Sequence, residues 1–197
     1  MASLNAYQNK RDFRSTPEPN GDADGDERRF VIQKHDASTL HYDVRLAIGD
    51  VLVSWAVPKG PSTDPSEKRL AQRTEDHPLS YADFEGVIPE GQYGAGTVLV
   101  WDHGPYRNLR TEKDGASMRE SLDDGKVEVW LEGEKLQGGY ALIRIDDADD
   151  RWLLIKMDDE AADARRNPTS TEPASVLSGR TLDEIADDEA DDDQSPQ

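Results

Sequence analysis

The fold is decided by residues 30–46, which read FVIQKHDASTLHYDVRL. Both halves of this stretch are rich in β-branched and aromatic residues, as strands are, and a short polar segment separates them. Because successive side chains of a strand point to opposite faces, the second half has one apolar face and one polar face. The two faces carry Tyr42, Val44 and Leu46 on one side and His41, Asp43 and Arg45 on the other. One face is expected to pack and the other to carry chemistry.

The same composition recurs along the chain and predicts a mainly antiparallel all-β fold, either a sandwich or a barrel. Gly49 and Asp50 are a plausible tight turn between two of the strands. The predicted strands cover residues 29–35, 39–48, 50–57, 97–102, 126–133, 139–146 and 151–157. Helix is expected to be minor, with short segments at residues 3–10 and 116–122 and a turn at 65–72.

Composition divides the chain into three parts. Residues 1–27 form an N-terminal segment with a helix and an acidic connector, since residues 15–27 combine Pro, Gly and acids. Residues 28–157 hold the strands and are expected to be the catalytic domain. Residues 158–197 read as an acidic, disordered tail with a short helix at 181–186, because a run of acids there has no basic counterpart.

Several classes of site are excluded by composition. The chain has no cysteine, so disulfides, thiolate metal sites and cysteine nucleophiles are absent. No apolar run approaches the roughly 20 residues that cross a bilayer, which predicts a cytoplasmic protein without a membrane partner. The net charge of −19 argues against nucleic acid as a partner, but residues 28–110 contain ten basic and eleven acidic residues. A local basic patch inside an acidic molecule is therefore compatible with the sequence.

The polar face of the second strand predicts a metal site. His41 and Asp43 lie on the same face, and His35, at the end of the preceding strand, can fold back onto them. Two imidazoles and a carboxylate suit manganese, zinc or iron better than magnesium, and three protein ligands leave positions open for water and substrate. In the alternative interpretation the histidines are ordinary strand residues and Asp43 pairs with Arg45. The spacing favours the metal site.

Other polar residues could bind phosphate. His77 precedes a proline, which predicts a loop position from which it could donate a proton, with Tyr81 close by. Lys59 and Arg69 complete a candidate phosphate clamp, although each alone is more often a solvated surface charge. The glycine-rich residues 90–96 lack the Gly-Lys-Ser/Thr of a phosphate loop, so they are interpreted as a turn that brings two strands together.

These motifs resemble a known family. The run at 30–46, SWAVPKGPS, EDHPLSYADFEGVIPEGQYGAGTV, VWDHG and the N-terminal RDFRSTPEP are similar to the 3′-phosphoesterase domain of bacterial DNA ligase D and its stand-alone archaeal relatives. The resemblance covers about residues 7–157. It implies an all-β, mainly antiparallel, closed or partly open β-barrel with a few short helices and a crescent-shaped groove.

The resemblance also implies a reaction. Members of the family use manganese at the 3′ end of a DNA or RNA–DNA primer-template: they remove a terminal ribonucleotide, then the remaining 3′-phosphate, leaving a 3′-hydroxyl for end joining. Matched motif by motif, the metal ligands are His35, His41 and Asp43. The phosphate contacts are Arg45, Arg69, His77 and Tyr81, and weaker candidates are Lys59, Glu75, Arg11, Asp12, Glu18 and Gln33. A monomer working with DNA ligase or polymerase repair partners is expected.

Two other functions fit parts of the pattern. His41 and Asp43 with a distant His103 imitate the two-histidine, one-carboxylate triad of a non-haem iron oxygenase, although His35 and His77 then have no role. A non-catalytic DNA-end-binding module of a repair complex is the third possibility. Oxygen uptake would favour the oxygenase. Strand binding that survives replacement of His41, with no turnover, would favour the end-binding module.

Overall fold

The computed structural model describes residues 4–21 and 28–193. The strands are β1 Arg29–Asp36, β2 Leu40–Ile48, β3 Val51–Val57, β4 Lys68–Arg73, β5 His77–Pro78, β6 Gly86–Ile88, β7 Gly96–Asn108, β8 Lys126–Glu132, β9 Gln137–Asp146 and β10 Arg151–Lys156. The helices are α1 Asn5–Asn9, α2 Leu109–Asp114, α3 Met118–Asp123, α4 Pro168–Thr171 and α5 Leu182–Asp192, with a 3-10 helix at Leu79–Asp83. All seven strands expected from the sequence are present.

Eight of the strands close into an antiparallel barrel. They follow the order β1-β2-β3-β4-β10-β9-β8-β7, and β7 returns to pair with β1. The short strands β5 and β6 are not part of this closed path and pair with β3 and β7. Closure leaves no open edge among the eight strands, which confirms the barrel and decides between it and a sandwich.

The alternation read from the sequence divides the barrel wall into an inner and an outer face. Tyr42, Val44 and Leu46 point inward and join a core that contains three buried tryptophans. Two of them, Trp55 and Trp152, meet edge to face with their ring centroids 5.5 Å apart. The predicted Gly49–Asp50 turn joins β2 to β3, with Gly49 at a φ of 65° that glycine adopts without strain.

The outer face of β1, β2 and β3 is covered by a second apolar cluster. Its members come from the strands, the N-terminal segment, the 3-10 helix and β6, and include Tyr7, Val31, Leu52, Tyr81 and Ile88. The polar side chains of these strands that also point outward lie beside this cluster. The chemical face of the hairpin is therefore on the outside of the barrel wall, in a groove roofed by residues that are distant in sequence.

Two expectations about secondary structure need correction or qualification. The turn expected at residues 65–72 was wrong from Lys68 onward, because that segment forms β4 between β3 and β10. The helices expected at 3–10, 116–122 and 181–186 correspond to α1, α3 and α5, and α5 runs further, to Asp192. Residue 3 and the connector at 22–27 lie outside the described residues.

The segment after residue 157 does not extend away from the barrel as a disordered tail over its described part, 158–193. Its backbone is fixed by side chains of the barrel: Trp101 Nε1 and Lys135 Nζ donate to the carbonyl of Glu172 at 2.8 and 2.9 Å. Ile185 of α5 is fully buried in the barrel core. Burial of this side chain and pairing of these groups outweigh the acidic composition. The domain boundary at 157 remains a prediction, and residues 194–197 lie outside the described part.

Candidate metal and phosphate site

The β1–β2 hairpin brings the three candidate metal ligands together. His35 and His41 are direct cross-strand partners, and their ring centroids lie 4.8 Å apart. Asp43 is two residues along β2 on the same outward face, with Oδ2 3.6 Å from His35 Nδ1 and 3.4 Å from His41 Nε2. One potential ligand atom from each residue lies within 4.8 Å of the others. Three ligand atoms this close can share one cation.

Backbone carbonyls hold the second nitrogen of each imidazole. His35 Nε2 lies 2.7 Å from the carbonyl oxygen of Gly94, and His41 Nδ1 lies 2.9 Å from that of Thr39. A carbonyl can only accept, so each of these nitrogens carries the hydrogen and donates it. The lone pairs of the neutral rings are thereby left on the two nitrogens that face Asp43. This is the arrangement that orients histidine ligands in metal sites.

The electrostatics of the cluster favour a bound cation. Burial opposes ionisation of Asp43, but Arg45 and the two imidazoles outweigh it and hold the pKa of this carboxyl well below its usual range. Burial alone would lower the pKa of the His41 imidazole, yet the hydrogen bond and charge of Asp43 raise it. Without a metal, the carboxylate favours a proton on the His41 ring. A divalent cation would take the place of that proton, and the donor set of two imidazoles and one carboxylate fits a transition metal.

Arg45 is fixed by four partners beside the cluster. Its Nε donates to Gln33 Oε1 at 2.7 Å, and its Nη1 donates to Ser54 Oγ at 3.0 Å. Nη1 also lies 3.1 Å from His77 Nδ1, and Nη2 lies 3.2 Å from Asp43 Oδ2. The hydrogen bonds occupy Nε and Nη1, so Nη2, which forms the ion pair with Asp43, is the nitrogen left to donate to a ligand. The side chain is buried, so its charge acts in a poorly screened environment.

His77 is a neutral imidazole in this setting. Burial, together with the charges of Arg45 and Arg11, lowers its pKa well below the usual value of 6.5. Its Nδ1 lies 2.9 Å from the carbonyl oxygen of Glu75 as well as 3.1 Å from Arg45 Nη1, and it can satisfy only one of them at a time. Each tautomer leaves Nε2 for a ligand, as a donor when Nδ1 accepts from Arg45 and as an acceptor when Nδ1 donates to Glu75.

The N-terminal segment forms one wall of the same pocket. Glu18 is buried and accepts from Arg11 Nε and Tyr81 Oη, both at 2.9 Å. Arg11 also donates to Glu75, whose other carboxylate oxygen lies 3.3 Å from Lys10 Nζ. The Tyr81 hydroxyl is thus engaged with a carboxylate, and burial raises its pKa well above 10. These contacts tie the N-terminal segment to the pocket.

The pocket has a volume of about 310 Å³, and the structure brings most of the predicted residues to it. Its lining includes Arg11, Glu18, His35, His41, Asp43, Arg45, Glu75, His77 and Tyr81. Gln33 is buried behind Arg45 and does not line it. The lining also includes residues that were not singled out from the sequence, namely Ala37, Ala56, Thr74, Ile88, Tyr93 and Gly94. Gly94 could have been suspected from the glycine-rich turn, whereas Thr74 carries no sequence signal beyond its place before Glu75.

Besides Gln33, three predicted residues are absent from the lining of this pocket. Lys59 and Arg69 line a separate depression, and Arg69 pairs there with Glu67 at 2.6 Å. Asp12 is exposed and caps its own turn, accepting from Arg14 and Ser15. Motif membership placed these residues in the site, but their positions in the fold separate them from the metal cluster. Any role for them requires a ligand that extends beyond the pocket.

His103 is also separate from the cluster. It lies within β7, and its Nε2 is 3.6 Å from Glu134 Oε1. In the described residues the group of potential ligands consists of His35, His41 and Asp43. The triad expected of an iron oxygenase therefore lacks the histidine assigned to it.

The fold and the site together define a class of protein: a closed β-barrel with a His-His-Asp cluster and a buried arginine in a pocket on its outer wall. Comparison with known proteins identifies the family. The profile of the DNA Ligase D 3′-phosphoesterase domain matches residues 33–144, more than half of the chain. The chain belongs to this family.

Curated relatives support the assignment. The chain is 49% identical over 188 residues to the multifunctional non-homologous end joining protein LigD of Pseudomonas aeruginosa, covering 91% of this chain and 22% of that protein. It is 46% identical over 157 residues to the multifunctional non-homologous end joining DNA repair protein LigD of Mycobacterium tuberculosis, covering 78% and 20%. The chain thus spans about a fifth of the length of these relatives. Among the described residues, no helix has the length and apolar character needed to cross a membrane.

Proposed function

We propose that this domain is a metal-dependent phosphoesterase that processes the 3′ ends of DNA or RNA–DNA strands during repair by end joining. It would remove a 3′-terminal ribonucleotide and then the 3′-phosphate, leaving a 3′-hydroxyl. One observation carries the proposal. The imidazoles of His35 and His41, each oriented by a hydrogen bond to a backbone carbonyl, face Asp43, and the buried Arg45 lies beside them. Family membership and the end-joining relatives support it.

The residues that would hold the metal are His35, His41 and Asp43, and we propose Mn²⁺ as the ion. When bound, it would supply positive charge that polarises a phosphate oxygen and offsets the negative charge that develops on the phosphate oxygens during the reaction.

Arg45 and His77 would act on the phosphate itself. Phosphoryl transfer spreads negative charge over the equatorial oxygens, and donors held in place before the reaction stabilise that charge without reorganisation. Arg45 Nη2 is left to donate to such an oxygen, and the other contacts of Arg45 keep the guanidinium from turning away. His77 Nε2 would donate a hydrogen bond to a phosphate oxygen in the tautomer in which Nδ1 accepts from Arg45.

Tyr81, Glu75, Glu18, Gln33 and Arg11 would then have positioning roles. Gln33 orients Arg45, while Glu18 joins Arg11 and the Tyr81 hydroxyl to the pocket wall. We propose that a longer substrate strand reaches Lys59 and Arg69 in their separate depression, because a strand can bridge two such sites and a single phosphate cannot. A role for Asp12 would be indirect, through the conformation of the N-terminal segment. The cytoplasmic location, the monomeric state and ligase or polymerase partners remain predictions.

The proposal is tested with a labelled primer-template that ends in a single ribonucleotide, with and without Mn²⁺, by resolving the 3′ products. The wild-type domain should yield a 3′-phosphate and then a 3′-hydroxyl end in the presence of the metal. His41→Ala should abolish both steps, whereas His103→Ala, which removes a histidine outside the cluster, should leave them unchanged. If equal product forms without any divalent metal, or with His41→Ala, the proposal is wrong. Binding of the strand without any turnover would instead indicate an end-binding module.

A further inference from the structure

Tyr93 differs from the other tyrosines in its exposure. The other five are at most 4% exposed, whereas Tyr93 is 47% exposed and is the one aromatic among the large apolar side chains open to solvent in the described residues. An exposed aromatic ring does not contribute the stabilisation that the buried tyrosine rings provide. A single exposed ring is ordinary on a protein surface, so its position decides whether it has a role.

That position is the rim of the proposed active site. Tyr93 lines the same pocket as the metal cluster and lies in the turn between β6 and β7. The next residue, Gly94, gives its carbonyl to His35 Nε2 at 2.7 Å. Gly94 has a φ of 74°, a conformation that glycine adopts without strain. The Tyr93 backbone is thus one peptide unit from a group that fixes a metal ligand, so the turn holds the ring at a defined place.

Cations from the N-terminal segment contact the ring. Lys10 Nζ lies 4.7 Å from the ring centroid, and the Arg11 guanidinium carbon lies 5.3 Å from it. Lys10 also donates to the Tyr93 hydroxyl at 3.4 Å, a long and therefore weak hydrogen bond. Lys10 is itself exposed, so it can move toward a phosphate group while the ring keeps its place. An aromatic ring flanked by cations is the combination that proteins use to bind single strands of nucleic acid.

We propose that Tyr93 is a stacking platform for the base of the 3′-terminal nucleotide, and that it makes the enzyme recognise a nucleotide end rather than a bare phosphate ester. This inference rests on the proposed function and adds a substrate contact to it. Stacking uses the π-face that every base has, so recognition would be independent of base identity. The metal cluster and Arg45 would take the phosphate, and Tyr93 the nucleoside attached to it.

The test compares two primer-templates that carry a 3′-phosphate, one with an ordinary terminal nucleotide and one whose terminal nucleotide is abasic. Base–aromatic stacking is worth ~1–3 kcal/mol, so Tyr93→Ala should raise KM about 5- to 150-fold on the ordinary end, with kcat changed little. Tyr93→Phe keeps the ring and should behave like wild type. On the abasic end, wild type and Tyr93→Ala should have the same KM. Ile145→Ala, which shortens an exposed apolar side chain of β9, is the matched control.

An equal loss on both ends in Tyr93→Ala would overturn the inference, because it would show a contribution to the turn and not to the base. Equal KM values for wild type and Tyr93→Ala on the ordinary end would overturn it as well. Equilibrium binding of the same two oligonucleotides is measured in parallel by fluorescence anisotropy. If the wild-type domain binds but releases no phosphate, the proposed function fails, while the anisotropy difference between the two ends still decides whether Tyr93 stacks on the base.

Discussion

Replacing Gln33 with Met should remove the support of Arg45 while keeping the length of the side chain. Gln33 is completely buried: its Oε1 accepts from Arg45 Nε at 2.7 Å, and its Nε2 donates to the carbonyls of Tyr81 and Phe84 at 2.8 and 3.1 Å. A thioether can replace none of these contacts well. Gln33→Met therefore deprives the Arg45 Nε donor and the Phe84 carbonyl of their Gln33 partner in the interior, while the Tyr81 carbonyl keeps the hydrogen bond from Phe84 N–H at 3.1 Å.

The magnitude follows from the three lost contacts. A hydrogen bond to a charged group contributes ~1.5–3 kcal/mol, and each neutral one ~0.5–1.5 kcal/mol. Gln33→Met should therefore lower the free energy of unfolding by about 3–5 kcal/mol, measured by urea denaturation monitored by tryptophan fluorescence. The activity should fall as well, since Arg45 loses its orientation. A misplaced donor costs about 10- to 100-fold in kcat/KM for release of a 3′-phosphate.

Gln72→Met is the matched control. Gln72 lies in the same cross-strand row, through Asp43 and Ala56, but its Nε2 donates to the carbonyl of Asp149 in an exposed turn. Its replacement should cost about 1 kcal/mol or less and leave kcat/KM unchanged. The reasoning is refuted if the two variants lose the same stability, or if Gln33→Met retains wild-type activity per folded molecule.

Two further predictions concern the packing of the C-terminal segment and the charge of the pocket. Ile185→Ala should lower the free energy of unfolding by about 2–4 kcal/mol, because Ile185 is fully buried, whereas Leu177→Ala, at an exposed position, should cost under about 1 kcal/mol. Equal effects in urea denaturation would show that the helix does not pack on the barrel. The pKa of His77 is lowered below 6.5 by burial and by Arg45 and Arg11, so below about pH 6.5 the unfolded chain gains a proton that the folded chain does not. Through this residue, the free energy of unfolding should fall by up to ~1.4 kcal/mol for each pH unit as the pH decreases. His77→Phe should remove that part of the slope. The prediction is wrong if wild type and His77→Phe have the same slope between about pH 7 and pH 5.

The hairpin was predictable because its pattern is local. The alternation of residues 41–46 assigned each side chain to a face, and a six-residue spacing lets His35 meet His41 across a short turn. Seven strands were found in the same way. β4 was missed because its sequence, KRLAQR, has no β-branched or aromatic residue, and pairing with β3 and β10 gives it its strand conformation.

The parts of the site that come from distant segments were harder to predict from the sequence. The motif resemblance grouped Lys59, Arg69 and Asp12 with the other candidates, but a motif gives no distance between its members. The carbonyls of Gly94 and Thr39 that orient the imidazoles have no sequence signal, because every residue has a carbonyl. The segment after residue 157 was expected to be disordered from its charge, although its anchors include a backbone carbonyl and the buried side chain of Ile185.

Binding of Mn²⁺ measured by isothermal titration calorimetry tests the central claim most directly, because it does not depend on a substrate. The account predicts one ion per chain, held by His35, His41 and Asp43. Replacing His35 or His41 with Ala should weaken this binding by at least about 10-fold, and His103→Ala should leave it unchanged. Wild-type affinity in both single variants, or no binding by the wild-type domain, would contradict the assignment of these three residues as a metal site.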